Sequence, residues 1–375
     1  MKSLIAALML ALSALPVPAQ DAPAPAPAAK PRVDIVFCVD RSGSMQQVIE
    51  TAKQKVWGIV NEVSKSKPTP VLRIGLIGYG SADRDIKLFP LSEDLDKVYE
   101  NLMTFKVDMG GDEWVGWAAK KAAEEMLWSK EAKSVKIVFM VGNETAAQGR
   151  PEVLYTKTVP EIIKKDITVN AIYCGRPSPE EERTWREVAA LADGTYTQID
   201  LSGGTVTIAT PMDKELQELS QKLNGTYVEF GRVGAEKKEN QARQDANALQ
   251  SGGAPTAAAR AASKAGALYR ASDWDLVDAS KDKAFKLEDV KKEDLPKEMQ
   301  SMTLEEKKAH VAKKAQERDE LQKKVNEIGR KRQEFIDAEV KAKGLTQDKA
   351  FDEAVRKTVR EQAEKRGLKF EESKP

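Results

Sequence analysis

Val33-Asp34-Ile35-Val36-Phe37-Cys38-Val39-Asp40-Arg41-Ser42-Gly43-Ser44-Met45 is the stretch that decides the fold. Val33 to Val39 is a nearly continuous apolar run rich in β-branched residues, the pattern of a strand buried on both faces rather than on one. Polar residues follow at once, with Gly43 permitting a tight turn. From Met45 to Lys65 the apolar residues Val48, Ala52, Val56, Ile59, Val60 and Val63 recur at helical spacing. Strand, polar loop and amphipathic helix together make the first unit of a parallel sheet.

The same alternation continues downstream. Val71 to Gly80 reads as a second strand and Ile86 to Leu91 as a third, which Pro90 pushes to an edge. Val135 to Val141, Ile167 to Cys174 and Thr195 to Asp200 read as further strands, with helices at Leu95 to Phe105, Trp114 to Trp128 and about Glu180 to Ala192. Buried runs separated by helices predict an α/β fold, a doubly wound and mostly parallel sheet over 32–202. Ligands of such sheets bind beyond the carboxyl ends of the strands, so the residues just after each strand are the candidates for function.

Composition narrows the chemistry. The 375 residues carry 60 Lys+Arg against 59 Asp+Glu, a formal charge of +1, so no global field selects a nucleic acid or an anionic membrane. One histidine, His310, and two cysteines, Cys38 and Cys174, argue against a Cys/His zinc site, a disulfide framework and most histidine-based catalysis. Any metal would be held by oxygen. Gly75, Gly78 and Gly80 have neither Walker nor dinucleotide spacing and read as strand and turn.

At the N-terminus, Lys2, an apolar run from Leu4 to Leu15 and small residues up to Ala19 predict a secretory signal peptide over 1–19. The run is shorter than the roughly 20 residues that span a bilayer. Cleavage near Ala19 would leave a periplasmic or secreted chain without a membrane span, joined to the sheet by an Ala/Pro tether over 20–31.

The chemistry concentrates after the first strand. Asp40, Ser42 and Ser44 alternate along a loop that enters a helix, so a carboxylate and two hydroxyls can converge on one cation; the alternative is that a serine simply caps the helix. Here the sequence resembles the von Willebrand factor A-type (vWA) domain, whose metal-ion-dependent adhesion site (MIDAS) has the form Asp-x-Ser-x-Ser. The resemblance covers about Val33 to Asp200. It implies a threonine from a later loop, where this chain has Asp112, and an aspartate after the fourth strand, where it has Asn143. The two exchanges leave two carboxylates, so the charge at the cation is expected to be conserved. Glu113 and Glu144 are possible additional rim residues. The resemblance further implies Mg2+ (or Mn2+) bound with one position left for a carboxylate on a protein partner, and it places the fourth strand between those carrying Cys38 and Cys174, so that two buried free thiols are expected.

Beyond about Leu201 the character changes. A helix is expected at Asp213 to Asn224, a short β-type run at Thr226 to Phe230 and an Ala-rich helix at Thr256 to Ala271, giving a mixed, mainly helical extension over 203–300. Charges of both signs then interleave in a helical arm over 301–368, followed by a tail over 369–375. Thr303 with Glu306 forms a capping box, Leu321, Val325, Ile328 and Phe335 form a stripe that Arg332 interrupts, and Thr346 opens a last helix. The interruption favours a packed arm in a monomer over a long coiled coil, with the arm separate from the sheet and the metal site. The expected protein is an exported, non-enzymatic vWA protein that binds a macromolecule through a cation. The alternatives are a metal-free envelope scaffold acting through its arm and, third, a metal-assisted hydrolase.

Overall fold

The computed structural model describes residues 30–82, 86–108, 110–201, 207–344 and 351–370. The expected signal peptide, nearly all of the tether, Thr346 and most of the tail lie outside them. The chain runs β1 (Arg32–Asp40), α1 (Gln46–Ser64), β2 (Ser66–Lys67), β3 (Val71–Tyr79), β4 (Lys87–Ser92), α2 (Leu95–Met103), α3 (Val115–Glu125) and β5 (Val135–Gly142). It continues through α4 (Tyr155–Ile163), β6 (Thr168–Cys174), α5 (Pro179–Ala190), β7 (Tyr196–Ile199), α6 (Asp213–Asn224), α7 (Gly234–Ala265), α8 (Leu276–Ala279), α9 (Leu304–Ala342), α10 (Phe351–Lys365) and β8 (Lys369–Phe370).

Six strands form one sheet in the order β4-β3-β1-β5-β6-β7, with every pair parallel except β3 and β4. The most apolar strands, β1 and β5, take the centre, and the Pro90 strand takes an edge as the sequence expects. Alternate residues of β1 serve opposite faces. Val33, Ile35, Phe37 and Val39 join α1 and α2 in one core, where Phe37 stacks on Phe139 with ring centroids 5.3 Å apart. Val36 and Cys38 join α3, α4 and α5 in the other. Cys38 and Cys174 are buried free thiols with β5 between their strands, as expected.

The charged arm divides into two parts with different roles. α9, 39 residues long, lays Leu321, Val325 and Ile328 on α6 and on Ala258, Ala261 and Ala265 of α7, the within-chain packing that the broken stripe suggests. Arg332, the interruption, bonds Asp213 at 2.7 Å and the Pro255 carbonyl at 3.2 Å. α10 departs from expectation, because Phe351, Val355, Val359, Ala363 and Leu368 belong to the core on the α1 face of the sheet. Its polar contacts point the same way: Gln362 bonds Asn170 of β6, Thr358 meets Thr195, Arg360 pairs with Glu62 of α1, and β8 closes an antiparallel pair with β2. The last helix of the sheet domain is therefore supplied from the end of the chain, and α6 to α9 form an insertion between β7 and that helix.

Within the insertion, α7 leaves helical geometry at Gly252 and Gly253 (φ of −149° and +68°). Its halves fold back on each other, since Arg260 bonds both Asp245 and the Gln241 carbonyl. α9 is fastened by buried Arg318, which donates to Asp275 at 2.6 Å and to the Thr226 carbonyl at 2.7 Å while lying over the Tyr227 ring.

Candidate functional site

The polar loop after β1 lies at the carboxyl edge of the sheet, at its centre. The ladder of β1 runs one bond past its last residue, where the Arg41 N–H donates to the Tyr79 carbonyl at 2.7 Å. Ser42 is extended, and Gly43–Met45 makes a single 3-10 turn into α1. Neither serine caps the helix by its side chain. The Ser42 N–H donates to Asp40 Oδ1 at 2.7 Å, and its hydroxyl donates to Asp40 Oδ2 at 2.9 Å. Ser42 Oγ and Ser44 Oγ lie 3.1 Å apart, and the Ser44 hydroxyl donates to Asn143 Oδ1 at 3.2 Å. Asp40, Ser42, Ser44 and Asn143 thus form one continuous row of oxygens, running from a fully buried carboxylate through the exposed Ser44 hydroxyl to a half-buried carboxamide.

The acidic residues of the later loops are sorted by the backbone. Asp112 is exposed, its carboxylate accepting from the Trp114 indole N–H at 3.4 Å and its carbonyl from the Ala82 N–H at 2.7 Å. Glu113, only 5% exposed, points the other way, and its carboxyl lies beside that of Asp40, near enough for the two charges to act on each other. The Glu113 N–H is held by Gln148 Oε1 at 2.6 Å, which ties this loop to the one after β5. Glu144 is exposed, while its carbonyl accepts from Trp185 Nε1, and the Asn143 carbonyl accepts from Tyr173 at 2.8 Å. The structure thus gathers Asp40, Ser42, Ser44 and Asn143 and adds Glu113, while the Asp112 and Glu144 side chains stay at the surface.

Gly80 makes this closeness possible. Its φ of +123° suits glycine, and a β-carbon there would stand 2.7 Å from Asp40 Oδ1. The sequence reading missed this role, together with those of Gln148 and Tyr79. Only Glu113 was within reach of it, because an acid directly before an apolar helix start has one face to the core.

Two buried carboxylates in contact are electrostatically costly. Burial pushes Asp40 above its ordinary value, and burial together with the charge of Asp40 pushes Glu113 up to about 9. Every side-chain group of the cluster offers an oxygen, which is the ligand chemistry of a hard dication. Among the described residues, no group of three or more His, Cys, Asp or Glu side chains is gathered as for a metal. A cation here would lean on hydroxyl and carboxamide oxygens beside the two carboxylates.

A parallel sheet between helices, with Asp-x-Ser-x-Ser at the turn after its central strand, defines the class. Residues 34–202 match the family model described as von Willebrand factor type A domain, which identifies this part of the chain as a vWA domain. α10 lies outside the matched stretch although it packs in the same core. No curated protein matches the chain. Among solved structures, the conserved hypothetical protein BatB from Bacteroides thetaiotaomicron is similar at 16% identity and a TM-score of 0.36, over 45% of this chain and 90% of that one. Proximal thread matrix protein 1 from the mussel byssus, with a zinc-occupied MIDAS motif, is similar at 17% identity and a TM-score of 0.37, over 45% of this chain and 42% of that one. A von Willebrand factor type A protein from Catenulispora acidiphila is similar at 14% identity and a TM-score of 0.36, over 46% and 39%.

Proposed function

We propose that this chain is an exported interaction protein whose vWA domain captures a protein partner through a divalent cation, Mg2+ or Mn2+, at the carboxyl edge of β1. The observation that supports this reading is the single row of oxygens from Asp40 through Ser42 and Ser44 to Asn143, none of it spent on capping α1. Asp40 would supply the charge, the two serines and Asn143 neutral oxygens. When bound, the cation supplies a Lewis-acidic position for an oxygen from outside. Ser44 is the exposed member of the row, so that position faces solvent, and a partner carboxylate is the ligand a dication there would take. Export is supported by the apolar run Leu4 to Leu15 and the small residues up to Ala19. Among the described residues, no helix is long and apolar enough to cross a membrane.

The test is capture from an envelope extract with Mg2+, with Mn2+ and with chelator, using the full chain and Asp40→Ala. A partner retained only with metal and only by the unaltered chain is expected. Equal capture by Asp40→Ala in chelator would transfer the function to the helical insertion.

A further inference from the structure

We infer that Glu113 is the second carboxylate ligand of this cation site and that Asp112, the residue standing where the family motif has its threonine, is a surface latch on Trp114. The inference rests on the metal reading above and deepens it. Its basis is the opposite placement of two adjacent acids. Glu113 is 5% exposed, and its carboxyl is turned inward beside Asp40, the buried start of the row. The Asp112 carboxylate accepts from the Trp114 indole, whose ring also carries the Arg150 guanidinium 5.4 Å from its centroid. A ligand that must reach a buried aspartate from the α3 side can come only from the residue that the backbone turns inward, and Ala82 and Gln148 fix that turn by holding the Asp112 carbonyl and the Glu113 N–H.

The assignment changes what the site offers. Asp40, Glu113, Ser42, Ser44 and Asn143 would give five protein oxygens, so an octahedral cation keeps one position for a partner. Both carboxylates would lie on the buried side of the cation and the neutral oxygens toward solvent, which leaves the open position uncrowded by negative charge. A carboxylate from outside would meet Ser44 and Asn143 before it met either acid.

Binding of Mg2+ by calorimetry and of Mn2+ by electron paramagnetic resonance, on the full chain, tests this with Glu113→Gln, Asp112→Asn and Asp40→Ala. Glutamine keeps the size of the side chain and removes a negative charge from beside buried Asp40, so Glu113→Gln should melt at or above the unaltered chain without metal, yet bind metal at least about 10-fold more weakly. Asp112→Asn should bind as the unaltered chain does. A merely structural Glu113 would lower melting temperature and affinity together. Should Glu113→Gln not fold, Glu113→Asp decides, since a carboxylate drawn back by one methylene must still weaken a direct ligand. Unchanged affinity in the folded Glu113 variant, or a larger loss in Asp112→Asn, overturns the assignment while leaving the metal reading intact. Absence of binding by the unaltered chain overturns both.

Discussion

Phe351 opens α10 and is 3% exposed, with its ring centroid 6.3 Å from that of Phe37 on the central strand. If α10 is the closing helix of the sheet domain, Phe351→Ala must cost what a core phenylalanine costs, about 3–5 kcal/mol. If the C-terminal segment were an independent arm, the cost would stay within the roughly 0.5 kcal/mol typical of surface changes. The two outcomes differ by enough to separate in a urea titration followed by near-ultraviolet circular dichroism. Leu304→Ala is the internal control, because that residue is 36% exposed at the start of α9. A double-mutant cycle with Phe37→Ala refines the test, and a coupling of about 0.5–1.5 kcal/mol is expected for a facing aromatic pair. Removal of residues 345–375 should abolish cooperative unfolding of the sheet, since Val355, Val359, Ala363 and Leu368 leave with Phe351. A Phe351→Ala protein as stable as Leu304→Ala, or a truncated chain with an unchanged urea midpoint, would refute the placement of α10.

Two further outcomes follow from the insertion. Asp245 lies in the fold of α7; burial alone would raise its carboxyl, but the charges of Lys264 and Arg260 outweigh that and hold it down to about 2. A carboxyl lowered on folding stabilises above its ordinary value and loses that contribution as pH falls through the folded one, so about 2 kcal/mol should vanish between pH 4 and 2, and Asp245→Asn should flatten this limb in urea titrations across that range. Arg318→Ala leaves Asp275 buried without its guanidinium partner and should cost about 3–5 kcal/mol by chemical denaturation; a loss below about 1 kcal/mol would show that α9 is not fastened there.

What could be read in the sequence follows the physics of each element. The central strands declare themselves because parallel strands buried on both faces must be apolar and β-branched throughout, and Val33 to Val39 and Val135 to Val141 are both. α4 gives no such signal: Pro160 stands inside it and mimics a break, although Tyr155, Val159 and Ile162 still reach the core. The first half of α7 is silent for another reason. Its buried face is made largely of Asn240, Gln241 and Gln244, so a search for apolar periodicity finds nothing, and only the tertiary bonds among Gln241, Tyr269, Asp245 and Arg260 make that face an interior one. α10 shows the limit of periodicity itself. Its stripe of Phe351, Val355, Val359 and Ala363 is clear in spacing, but spacing reports that a face is buried, not against what. Where it docks is decided by Gln362 and Thr358, two polar residues meeting partners on and beside the sheet. The candidate site divides in the same way. Asp40, Ser42 and Ser44 are legible because all their geometry lies within one turn. The choice between Asp112 and Glu113 is not, because it depends on Ala82 and Gln148, residues 30 or more positions away that grip the backbone between the two acids.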